Sequence, residues 1–307
     1  MAIELLTPPT IIEITRKVAA GHLTKRDVAI VEAIWLYGMA TTSQIKRLIF
    51  LDSHFGNDHS ATRVCQRRLR VLVDYHLLDR LQLSLRQPCI YALAETGGRL
   101  IQLLREAESL RQVWRPTDPA KAILFADHRL EITEFATQMV EAIRPVAEAT
   151  FAWQGEQQLR LVKADGTIFR PDGLGRLTMQ TGASSMIFFL EWDRGREKIQ
   201  KAIGQKIKDY LAYRAYPKAW QEQFARFPHL VMVTTGGERR RQNMQAEIER
   251  RLLQTGLTHT DFVVLLAKSK DLGQRGVFGP AFYWVGSGRA EPISLLGEHR
   301  NNLLGGQ

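Results

Sequence analysis

TIFRPDGLGRLTMQTGASSMIFFLEWDRGREKIQKAIGQK, residues 167–206, is the stretch that decides the fold. A Pro-Asp turn (Pro171, Asp172) precedes an apolar run from Met186 to Leu190, and that run ends abruptly in Glu191 and Asp193. An unpaired buried carboxylate is costly, so acids at the end of an apolar strand call for a partner. A divalent cation makes three of them compatible, and Asp172, Glu191 and Asp193 are the candidate metal ligands. Mg²⁺, or Mn²⁺ in its place, takes hard oxygen ligands, usually one or two carboxylates completed by water and substrate phosphate. That chemistry suits hydrolysis of a phosphodiester.

The 307-residue chain is 45% hydrophobic, enough for a sizeable core, and its length suggests about two domains. Its formal charge of +10 comes from Lys and Arg spread along the chain, which favours a polyanionic partner, double-stranded DNA first. Cys65 and Cys89 form no C-x-x-C pair, so neither a zinc site nor a disulfide framework is indicated, and a reducing cytoplasm is expected. No run approaches the roughly 18 apolar residues of a membrane span, and none is expected.

Working outward to the N-terminal side, residues 1–22 read as an arm and residues 23–115 as a DNA-binding domain. Thr24 to Asp27 resembles a capping box that opens a helix running to Tyr37, which Gly38 ends. Thr41 or Thr42 caps a second helix, Ser43 to Phe50, and a third runs from about Ser60 to His76. At 100° per residue, Arg63, Gln66, Arg67 and Arg70 fall in one stripe of that third helix with His59 and Asp74. Arginines in such a stripe grip phosphates or fork onto guanine, and Gln pairs with adenine. A solvated charged face is the plainer meaning, but two alternating segments follow, Leu77 to Leu85 and Cys89 to Leu93. They read as a β-hairpin wing carrying Arg80 and Arg86, so the expectation is a winged helix-turn-helix.

Residues 116–120, which include Pro116 and Pro119, read as a linker, residues 121–295 as an α/β domain and residues 296–307 as a tail. A helix over 121–143 presents Phe125, Ile132, Ala136, Met139 and Ile143 on one face. Strands follow at Gln157 to Val162 and Thr167 to Arg170, joined through the hairpin dipeptide Asp165-Gly166. Further strands are expected at Met186 to Trp192, Leu230 to Thr234, Phe262 to Lys268 and Ala281 to Val285, with helices at Glu197 to Tyr213 and Glu238 to Gln254. The order implies a mixed α/β sheet, α+β over the whole chain. On the first of these helices Lys198, Lys201, Gln205 and Lys208 oppose Ile199, Ile203, Ile207 and Tyr210. Lys206 lies at the border and Lys198 in the first turn, so these two are the candidates for stabilising charge on a phosphate.

This order and these acids resemble the restriction-endonuclease-like nucleases and their PD-(D/E)xK signature. Pro171-Asp172 matches its first half and Glu191 its second acid; Asp193 stands where Lys is usual, and some members draw that Lys from the next helix. Over nearly the whole chain, the winged helix together with His128, Leu130 and Phe135, RPDG (Arg170 to Gly173), Glu191 to Gly195, and Lys206 with Tyr210 resembles the replication-relaxation proteins of plasmids and other mobile elements. The resemblance implies a role in replication or relaxation of element DNA, alongside other proteins of the element. One expectation is a metal-dependent endonuclease or nickase with Asp172, Glu191, Asp193, Lys198 and Lys206 at its site. The alternative is a non-catalytic DNA-binding or partner-recruiting factor that keeps a degenerate nuclease core.

Overall fold

The computed structural model describes residues 16, 20, 22–51, 55–82, 87–113, 115, 119–146, 149–179 and 185–295. The expected arm, save for isolated positions, the tail and Arg86 lie outside them. The chain divides into two compact units, Met1–Thr137 and Gln138–Gln307.

In the first unit, α1 (Lys25–Tyr37) starts where the sequence places it. The Thr24 side chain accepts from the Asp27 N–H while Asp27 accepts from Thr24, and Gly38 closes the helix with φ 80°. A short strand, β1 (Met39–Thr41), leads into α2 (Thr42–Ile49), which has its own capping box between Thr41 and Gln44. Helix α3 (Asp58–Asp74) begins earlier than expected because the Asn57 side chain, in a segment read as loop, accepts from the Ser60 N–H at 2.8 Å. Strands β2 (Leu78–Leu81) and β3 (Ile90–Leu93) follow, and the antiparallel order is β1-β3-β2. Three residues of mixed polarity do not announce a strand; β1 exists because Met39, Ala40 and Thr41 pair with Ala92, Tyr91 and Ile90.

Asp27 ties α1 to α3. It is buried and receives the Arg68 guanidinium, at 2.8 Å from Nε. Burial alone would raise its carboxyl, but Arg68 and Thr24 outweigh this and hold it below the usual range. Helices α4 (Glu95–Leu104) and α5 (Leu110–Val113) follow, then α6 (Pro119–Ile143). The division between the units falls within α6, beyond the proline-rich segment. Residues of its first part bond to the first unit: Gln44 donates to the Leu130 carbonyl at 3.0 Å, Arg47 pairs with Glu134 at 2.7 Å, and the Thr133 hydroxyl donates to the Met39 carbonyl at 2.7 Å. On this helix Ile132, Ala136, Met139 and Ile143 are buried as expected, but Phe125 is 55% exposed. Helical phase places it with the others, yet it lies beyond the packed part of the face.

The second unit is built on a six-stranded sheet whose order, from one edge to the other, is β11 (Phe282–Trp284), β10 (Val264–Lys268), β9 (His229–Thr234), β8 (Ser185–Asp193), β7 (Gly173–Met179) and β4 (Ala149–Gly155). Strands β8, β9 and β10 are parallel; β4, β7 and β11 join antiparallel. The parallel pairs are linked by α7 (Ile199–Arg214) and α8 (Glu238–Thr255), and α9 (Ser269–Arg275) leads to the edge strand β11. Ile203, Ile207, Tyr210, Met244 and Ile248 of the two long helices pack with Leu174, Phe189, Leu230, Met232 and Val264 of one sheet face.

The expected strands at Gln157 to Val162 and Thr167 to Arg170 shrink to β5 (Leu161–Val162) and β6 (Ile168–Phe169), a two-stranded hairpin separate from the main sheet. The Asp165-Gly166 turn is where the dipeptide puts it, with Gly166 at φ 78° and Asp165 accepting from the Thr167 N–H at 2.9 Å. Strands β4 and β7 were not expected. In β7 the apolar alternation is broken by Gly173 and Gly175, whose missing side chains make room for neighbouring rings. A Cβ on Gly173 would meet Trp153 at 2.1 Å, and one on Gly175 would meet Phe188 at 2.3 Å.

Candidate functional site

Register and pleat bring the acids together. Leu174 pairs with Phe189 and Gly173 with Leu190, so Asp172, the residue just before β7, falls beside Glu191 on the face covered by α7. Asp172 is held by the backbone, its Oδ2 accepting from the Trp192 N–H at 2.7 Å. It follows the second hairpin strand β6, as the sequence order suggested, after Arg170 and Pro171, and immediately precedes β7. Glu191 is buried and bonded on both oxygens: the Tyr210 hydroxyl donates to Oε1 at 2.7 Å and the Lys206 ammonium donates to Oε2. The same Lys206 Nζ lies 3.6 Å from Asp172 Oδ2.

Lys206 and Tyr210 are one helical turn apart on α7 and reach the same carboxylate. Lys206 spans the border between the buried face and solvent, 36% exposed, as its place on the helix suggests. Lys198, the residue before α7, is exposed and does not enter this ion-pair set. Burial pushes the Glu191 carboxyl up to about 7, reinforced by Asp172 and opposed by Lys206 and Tyr210. For Lys206 burial works against the charge, but Glu191 and Asp172 outweigh it and hold the ammonium above its ordinary range. The Tyr210 phenol is driven well up by burial and by the adjacent carboxylate.

Asp193 does not join this cluster as a third ligand. It shares the face of Glu191, two residues along β8, but Arg240 of α8 grips it at 2.6 Å and 2.7 Å and the Thr234 hydroxyl donates to it at 2.7 Å. Burial would raise its carboxyl; the bonds from Arg240 and Thr234 outweigh burial and keep it low. Asp193 is thus engaged by Arg240 and Thr234 and not by Lys206, and among the described residues no group of three or more His, Cys, Asp or Glu is arranged to hold a metal ion. Alternation alone placed Glu191 and Asp193 on one face; which helix would take each acid is a tertiary matter. Arg240 carried no motif that could have singled it out within the run Arg239 to Arg241.

In the first unit the α3 stripe is presented to solvent. Arg63, Gln66, Arg67 and Arg70 are exposed, whereas Ala61, Cys65, Leu69 and Leu72 are buried beneath them and Arg68 turns inward to Asp27. Arg80 on β2 is exposed, bonded to Cys89 Sγ at 3.2 Å and to Gln82 at 3.1 Å. Tyr210 and Tyr213 are buried in the core of the second unit.

The replication-relaxation family model matches residues 34–230, which spans both the exposed α3 stripe and the Asp172, Glu191 and Lys206 cluster. The chain belongs to the replication-relaxation family. Membership suggests a role in plasmid or mobile-element replication or relaxation. No curated protein matches the chain. Among the described residues, no helix of this family member is long and apolar enough to cross a membrane.

Proposed function

We propose that this replication-relaxation protein binds double-stranded DNA through its first unit and cleaves or nicks it at a metal-dependent site in the second. The observation that carries the reading is a single ammonium, Lys206, in contact with both Asp172 and Glu191. Two acids with a lysine from the following helix form the constellation that the PD-(D/E)xK resemblance implies, with the lysine displaced from Asp193. The element order α1-β1-α2-α3-β2-β3 supports a winged helix as the DNA-binding part, with Arg63, Gln66, Arg67, Arg70 and Arg80 on its exposed surface.

The donor set fits Mg²⁺ or Mn²⁺, since Asp172 and Glu191 offer adjacent hard oxygens and water and phosphate oxygens can complete the shell. When bound, the ion would supply charge stabilisation and a more acidic water. The chain's own residues do the rest. Tyr210 orients Glu191, the Trp192 N–H orients Asp172, and Lys206 places positive charge where a phosphate would gain negative charge. Asp193 and Arg240 hold the ends of β8 and α8 in place. The proposal predicts that supercoiled plasmid is cut in Mg²⁺ or Mn²⁺ and that Asp172→Ala or Glu191→Gln abolishes cutting. Intact plasmid with folded wild-type protein removes the enzymatic part.

A second reading has its own support. Lys206 already neutralises Glu191, and Arg240 already neutralises Asp193. A chain with these pairs can serve as a non-catalytic DNA-binding or partner-recruiting factor, for which binding is insensitive to Glu191→Ala and no cutting occurs.

A further inference from the structure

We infer that the β5–β6 hairpin is a second DNA-contacting element, which lays two arginines and a small apolar pair on duplex DNA next to the Asp172, Glu191 and Lys206 cluster. The inference rests on the reading of that cluster as the place where a DNA phosphodiester is engaged. Residues alternate across the hairpin, and its two faces differ in character. The inner face is anchored to α7: Leu161 is buried, Phe169 meets Tyr210 edge-on at 5.1 Å and Tyr213 at 5.7 Å, and Lys163 pairs with Asp209 at 2.7 Å. Tyr210 is the donor to Glu191, so the hairpin rests directly on the residue that orients the site.

The outer face has no such partner role. Val162 and Ile168, opposite each other in register, are 37% and 41% exposed. One residue beyond the ladder on each side stand Arg160, before Leu161, and Arg170, after Phe169, and both are exposed. Like charges brought to the open end of a hairpin disfavour it. A hairpin with so short a ladder tolerates the repulsion poorly, and an anionic ligand bridging the two guanidinium groups relieves it. Arg170 is followed at once by Pro171 and Asp172, which puts the arginine pair at the end of the hairpin nearest the acids. Two phosphate-binding arginines flanking an exposed aliphatic pair suit a groove of duplex DNA, where arginines hold the backbone and the aliphatic side chains meet the bases.

The test is binding of the full chain to a short DNA duplex in EDTA, which separates it from cleavage. Each neutralised phosphate contributes roughly 0.9 to the slope of log affinity against log salt, so Arg160→Gln with Arg170→Gln should lower that slope by about 2 and weaken binding about tenfold or more. Lys218→Gln with Arg226→Gln removes the same charge from exposed positions elsewhere in the second unit and should do much less. Val162→Ser with Ile168→Ser should weaken binding and leave the slope unchanged. Equal effects of the two charge-removing pairs, or failure of the wild-type chain to bind the duplex, overturn the inference. Absence of plasmid cutting in Mg²⁺ or Mn²⁺ bears on the nuclease reading alone, because the binding result stands without it.

Discussion

Replacing Lys206 by Met exposes the electrostatics of the cluster most directly. In the wild-type protein Glu191 is buried between the Lys206 ammonium and the Tyr210 hydroxyl, with Asp172 as a like-charged neighbour. Its carboxyl is raised from an ordinary 4.5 to about 7, so the folded state binds more protons than the unfolded state between those values. Stability therefore falls as pH rises through that window, by about 3 kcal/mol in all at 1.36 kcal/mol per unit. Lys206→Met removes the cation that opposes this rise. Below the window Glu191 is protonated in both proteins, and the variant should lose only about 1 kcal/mol, the worth of a hydrogen bond and some packing. Above it the variant must bury an unpaired carboxylate, for which breaking such pairs costs about 3–5 kcal/mol, or else keep its proton at a cost of about 1.4 kcal/mol per further unit. Urea unfolding on either side of that upper value should show a deficit that is flat below about 7 and grows above it, and Glu191→Gln in the Lys206→Met background should flatten it. A deficit of the same size at every pH, or a double variant as steep as the single one, refutes the reasoning.

Other outcomes follow from the same geometry. Arg68→Met leaves Asp27 buried without its cation and should destabilise the first unit by about 3 kcal/mol near neutral pH, measured by thermal or urea unfolding. Because the Asp27 carboxyl is held below its ordinary value of 3.8, the stability it contributes is present above that value and is lost as pH falls through the lowered one. The difference between Arg68→Met and wild type should therefore shrink in acid. Arg63→Ala, Arg67→Ala and Arg70→Ala should each weaken DNA binding and reduce the salt slope by roughly 1, and unchanged affinity removes the α3 stripe as a contact surface. Gly175→Ala places a Cβ 2.3 Å from the Phe188 ring and should cost about 1–3 kcal/mol, read as a lower melting temperature.

Much of the fold is legible in the sequence wherever the signal is local. The capping box at Thr24 and Asp27, the terminating Gly38, the Asp165-Gly166 turn and the 3.6-residue period of α3 and α7 all act through groups a few residues apart. Alternation along β8 likewise puts Glu191 and Asp193 on one face, and the border position of Lys206 on α7 marks it as a side chain able to reach inward. Strand β7 was hidden because its glycines make sense only once Trp153 and Phe188 are packed against them.

The sequence by itself determined which side chains carry charge, on which face of a helix or strand each stands, and which family the chain resembles, because periodicity and capping are short-range properties. Only the tertiary structure decided the partners: Asp172 and Glu191 to Lys206, Asp193 to Arg240, Asp27 to Arg68. An ion pair depends on distance and on water exclusion, and residues remote in sequence acquire both only when helices close over a sheet.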